Sequence, residues 1–147
     1  MIRIISIFLC FIFFSYTSLA QLREIPAGVK ETFSSQYPGA ESVEYKDHLK
    51  DVHVAFTLDS AKYRAKYSNK GAWKETEREW NFTQLSGSVK DGFDKSKYAD
   101  WQVKETAIIY LPGGGERFRL KVEKSDLQKK YLFFNKNGRL VRDAITI

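Results

Sequence analysis

Apolar residues recur at intervals of four in two stretches of the chain. Ile25, Val29, Phe33 and Tyr37 form one stripe; Leu85, Val89 and Phe93 form another. That spacing puts each set on one face of an α-helix. Pro26 suits the first turn of the first helix and Pro38-Gly39 ends it. Ser86 is placed to cap the second helix, which Gly92 weakens by about 1 kcal/mol relative to alanine. Between and after the stripes the period falls to two. Val52, Val54, Phe56 and Leu58 alternate with His53, Ala55 and Thr57, and Tyr63, Ala65 and Tyr67 alternate with Arg64 and Lys66. Phe118, Leu120 and Val122 alternate with Arg119 and Lys121. Half-buried strands read this way. Further strands are expected at 43–45, 73–80, 101–111, 131–134 and 140–147. Asp59-Ser60, Asn69-Lys70-Gly71, Gly113-Gly114-Gly115 and Asn137-Gly138 supply the turns.

These elements fall into two similar sets. Val29-Lys30-Glu31-Thr32-Phe33 returns sixty positions later as Val89-Lys90-Asp91-Gly92-Phe93. Tyr37 answers to Tyr98, the Asn69-Lys70-Gly71 turn to Asn135-Lys136-Asn137-Gly138, and Trp73 to Leu140. Matches recurring in one order point to duplication. The expected fold class is therefore α+β: two tandem units, each a helix plus a four-stranded antiparallel sheet, with helices packed on one sheet face. The expected boundaries are 22–80 for the first unit and 84–147 for the second.

Residues 1–20 carry a different pattern. Arg3 precedes an apolar run from Ile4 to Phe14, and Ser18-Leu19-Ala20 closes it with small residues. This is the layout of a secretory signal cleaved before Gln21. The run is too short for a comfortable membrane span, which needs about 20 residues, so no stable span is expected after cleavage. The remainder has 127 residues, with 23 Lys+Arg against 18 Asp+Glu and no cysteine, since Cys10 leaves with the signal. An exported domain of this kind has no disulfide and no thiolate chemistry, and must hold itself by its core. A periplasmic or secreted location follows.

Several motifs together resemble a known group. Ile25-Pro26, Val29-Lys30, Phe33, Tyr37-Pro38-Gly39-Ala40, Tyr67-Ser68-Asn69-Lys70-Gly71 and Trp73 look like the exported PepSY-like proteins of Bacteroidota, also described as beta-lactamase-inhibitor-like. The second copy departs from the pattern, with Tyr98-Ala99-Asp100 and no proline at its helix start. The resemblance implies an exported, non-enzymatic binding or inhibitor-like protein. Its implied partner is an envelope or secreted protein.

No residue set names a reaction or a cofactor. His48 and His53 are the only histidines; on one strand they would point to opposite faces, and no thiolate completes a metal site. Glu75, Glu77 and Glu79 share a strand parity, as an acid–base pair would need. Lys74 and Arg78 alternate with them, as on a charged edge strand. The triple glycine is followed by a strand, so it is a hairpin and not a phosphate loop. The basic residues are more informative. Arg64 and Lys66 oppose one apolar strand face, and Arg117, Arg119 and Lys121 oppose another. A shared sheet face would align them as a basic ladder able to attract an acidic partner. Those five, with Trp73 and Trp101 as aromatic anchors, are the candidate partner-binding residues. A net charge of +5 on an exported chain argues against nucleic acid. The alternative reading is a periplasmic small-ligand or polysaccharide-binding protein.

Overall fold

The structure is a computed structural model that describes residues 24–146. The expected signal, residues 1–20, lies outside the described residues. Helix α1 (Ala27–Gln36) is followed by strands β1 (Glu41–His48), β2 (Asp51–Leu58), β3 (Ala61–Ser68) and β4 (Trp73–Trp80). Helix α2 (Gly87–Asp94) then leads into β5 (Gln102–Leu111), β6 (Gly115–Ser125), β7 (Gln128–Asn135) and β8 (Leu140–Ile145).

All eight strands belong to one antiparallel sheet in chain order, β1 to β8. This overturns the expectation of two tandem four-stranded units. The chain leaves β4, makes α2, and returns as β5 against the edge of β4, pairing from Thr76↔Tyr110 to Trp80↔Thr106. A strand edge left open would carry unpaired backbone groups, and here the next strand satisfies them. The fold is mostly sheet, with two short helices. The same pairing corrects a second expectation. β4 is an interior strand, so its glutamates do not line an edge.

Register carries one continuous row of partners from β2 to β8. Phe56, Tyr63, Arg78, Ile108, Phe118, Phe134 and Leu140 are successive cross-strand partners. The row belongs to the face that both helices cover. At one end Val29 and Phe33 of α1 pack with Val52, Val54, Phe56, Ala65 and Tyr67. At the other, Leu85, Val89 and Phe93 of α2 side pack with Tyr98, Phe118, Leu120, Val122, Leu132 and Phe134. Val29, Val52, Val54, Val89, Leu120, Leu132 and Phe134 are wholly buried, which makes these clusters the main hydrophobic term in stability. Between them sits Arg78, with its guanidinium over the rings of Trp80 at 4.6 Å and Tyr63 at 5.5 Å. Its Nε is buried without a hydrogen-bond partner. A cation held between two rings gains cation–π attraction and fills the seam between two apolar clusters.

Each helix rests on a hairpin glycine. Gly71 and Gly138 have φ of +85° and +79°, which favours glycine at those turns. A Cβ at Gly138 would lie 1.9 Å from the Ser88 carbonyl oxygen, and one at Gly71 would lie 2.6 Å from that of Gly28. Gly92 is explained by the same contact, since its own Cβ would meet the Gly138 oxygen at 1.8 Å. The glycine that weakens α2 thus lets it approach the β7–β8 turn. Ser86 does occupy the N-cap of α2, but its side chain makes no capping hydrogen bond, and Pro26 stands at the N-cap of α1 just ahead of its first turn. β1 is longer than expected because a bulge at Ser42, with φ of +51°, lets it continue to Glu41.

Candidate partner-binding face

The strand side chains of opposite parity point away from the helices. Arg64, Glu77, Ile109, Arg117 and Asn135 form one cross-strand row there. The neighbouring row runs Glu79, Ala107, Arg119, Phe133 and Arg142. Lys66 pairs with Glu75, and Glu105 with Lys121 and then Tyr131. The five expected basic residues are thus brought to one face. They do not form a simple ladder, because β4 and β5 interleave carboxylates between them.

Most of that charge is matched within the face. Arg119 reaches over Ala107 to Glu77, with Nη2 2.7 Å from Oε1 and both side chains less than a fifth exposed. Burial outweighs the pull of Arg119 and Arg64 and holds the Glu77 carboxyl above its ordinary value. Lys66 lies 3.6 Å from Asp51 and 4.0 Å from Glu75. Lys121 donates to Glu105, which raises the lysine's pKa. Glu123 takes Lys129 at 3.1 Å and Lys104 at 3.8 Å. Arg64, Arg117 and Arg142 are exposed and form no ion pair with a described residue.

Aromatic rings hold the guanidinium groups in place. Arg119 lies 4.6 Å from the Tyr131 ring centre, and Arg142 lies 4.3 Å from that of Phe133. Ala107 and Ile109 are 1% and 6% exposed although no helix covers them; the long side chains around them do so. A cleft of about 420 Å³ lies over the β3–β7 part of this face, lined in part by Arg64, Glu77, Glu105, Arg119, Lys121 and Tyr131. Tyr131, Phe133 and Arg142 were not singled out from the sequence. The Tyr131-Leu132-Phe133-Phe134 run is apolar at both parities, so only the register shows which two rings face outward.

Trp73 and Trp101 are not part of this assembly. Trp73 packs against the α1 cluster, and its Nε1 donates to Thr76 Oγ1 at 2.8 Å. Trp101 packs against the α2 cluster, with its ring 5.2 Å from that of Tyr98 in an edge-to-face contact. Both therefore sit on the helix-covered side. The histidines also differ from the one-strand picture. His48 and His53 lie on adjacent strands with ring centres 4.3 Å apart, and burial together with His48 and Lys66 lowers the pKa of His53. No group of three or more metal-ligating side chains occurs among the described residues. No described helix is long and apolar enough to cross a membrane.

No known family model matches the chain, and no curated protein matches it. Solved structures do resemble it. A DUF2874 family protein from Bacteroides ovatus has a TM-score of 0.75 at 22% identity, over 82% of this chain and 87% of that one. A protein of Bacteroides eggerthii, proposed to be periplasmic, gives 0.74 at 18% identity over 82% and 88%. A BLIP-like (beta-lactamase-inhibitor-like) protein from Bacteroides fragilis gives 0.70 at 22% identity over 81% and 85%. At these identities the likeness is one of fold: the chain shares its architecture with DUF2874 family and beta-lactamase-inhibitor-like structures from Bacteroides.

Proposed function

We propose that this chain is an exported, non-enzymatic binding protein, inhibitor-like in character, that recognises a protein partner through the uncovered face of its sheet. The observation that carries the reading is the asymmetry of the sheet. Both helices lie on one face, while the other exposes arginine and aromatic side chains over a buried apolar strip. Arginine and tyrosine on a partly dry floor are the composition of energetic centres in protein interfaces. The fold shared with a BLIP-like structure supports it, as does the neighbour proposed to be periplasmic. Location in the periplasm or outside the cell belongs to the same proposal, as does the absence of a catalytic role.

The test is affinity capture from the native envelope fraction, using residues 21–147 as bait. The control is the same chain with Arg64→Glu and Arg117→Glu, two exposed positions whose reversal leaves the core intact. A protein enriched by the first and lost with the second supports the open face. Equal enrichment by both sinks it.

A further inference from the structure

The β5–β8 half of the open face carries an imbalance that names the partner's chemistry. Its acidic side chains are Glu105 and Glu123, and each is already in an ion pair. Its cations Arg117 and Arg142 are not. The two arginines lie on β6 and β8, on either side of Phe133 of β7; Arg142 and Arg119 are its direct cross-strand neighbours and Arg117 is diagonal to it. The Arg142 guanidinium carbon lies 4.3 Å from the Phe133 ring centre and the group makes no ion pair with a described residue, so its N–H donors are left for an acceptor. Arg119 lies similarly close to Tyr131, and its Nε is buried without a partner.

From this we infer that strands β5–β8 bind an acidic segment of the partner protein, with a carboxylate seated between Arg117 and Arg142 beside Phe133. The inference rests on the open-face reading and deepens it by naming the partner's chemistry and the half of the face that meets it. Planar guanidinium forks match side-chain carboxylates in two-point hydrogen bonds. An acidic polysaccharide fits less well. Sugar rings stack on bare aromatic faces, and here guanidinium groups lie over both Tyr131 and Phe133.

The experiment uses the chain from residue 21 onward and a fluorescent peptide of alternating glutamate and tyrosine, read by anisotropy and by amide shift mapping. Arg117→Gln and Arg142→Gln should each weaken binding about tenfold, the scale of one lost charge-assisted contact. Affinity should fall with added salt. Lys30→Gln, an exposed position of α1 on the opposite side of the sheet, should change it less than twofold. Shifts should cluster on β6, β7 and β8. Binding unaffected by Arg117→Gln and Arg142→Gln, or shifts confined to β1–β4, overturns the inference while sparing the open face. Shifts confined to the helix-covered side overturn both. Tighter binding of polygalacturonate or of anionic phospholipid vesicles than of the peptide overturns the choice of a protein partner.

Discussion

Replacing Gly138 with alanine tests the contact that seats α2 on the sheet. Two costs add. The first is conformational: alanine at φ of +79° costs roughly 1–2 kcal/mol. The second is steric. The new Cβ would fall 1.9 Å from the Ser88 carbonyl oxygen, a backbone atom that moves only if the helix moves. Overpacking of that kind costs about 1–3 kcal/mol. The expected loss is therefore about 2–5 kcal/mol, a large share of the 5–15 kcal/mol typical of a domain. Gly113 supplies the control. It has φ of +80°, yet its Cβ would meet nothing within 4 Å, so Gly113→Ala isolates the conformational cost. Urea unfolding of both variants at matched slope gives the difference directly. Gly138→Ala should be the less stable by about 1–3 kcal/mol. Equal losses would refute the packing argument, leaving only the turn conformation.

Other expectations follow from the charged and aromatic residues. Glu77→Ala should destabilise the chain, since it strands the Arg119 guanidinium over Ala107; a double-mutant cycle with Arg119→Met should recover part of the loss, and strict additivity would show that the pair is not coupled. Because the folded pKa of Glu77 is raised, its protonated form favours folding. That contribution is full below the ordinary carboxylate range and is lost as pH rises through the folded value, so Glu77→Gln should flatten the stability profile on the alkaline side of the ordinary carboxylate range. Asp143 has the opposite sign. Hydrogen bonds from Tyr98 and Lys130 lower its pKa, so its contribution is present above the ordinary range and lost as pH falls; Asp143→Asn should reduce acid sensitivity in a pH titration of unfolding. Trp101→Ala should lower the melting temperature yet leave peptide affinity unchanged, and a loss of affinity without a loss of stability would place that ring in the interface.

The period-two runs of β2, β3 and β6 and both helical stripes were legible because each buries one face only. The turns were legible because Asp59-Ser60, Gly71 and Gly138 use positive φ, which few residues accept. Pairing between β4 and β5 was not. Those strands are joined by a helix and a loop, and no local signal states which edge the chain returns to. That hidden pairing also decides the chemistry of the open face. Arg119 is opposite Ala107 and reaches Glu77 only because β4, β5 and β6 align in one register. A shift of one residue would have sent the same arginine to the other side. Trp73 was expected on the wrong face for a related reason: a register irregularity beside Tyr67 changes the parity counted along β4.

The unbroken sheet has a geometric consequence for whatever docks on it. Adjacent strands rotate by roughly 20–25° in one sense, so from β1 to β8 the rotation accumulates to on the order of 150°. The outward normals at the two ends therefore diverge widely, and the open face is a saddle and not a plane. A rigid globular partner can lie flush against neighbouring strands only. The two ends of one continuous sheet are thereby free to diverge in sequence and meet separate ligands, without any hinge between them.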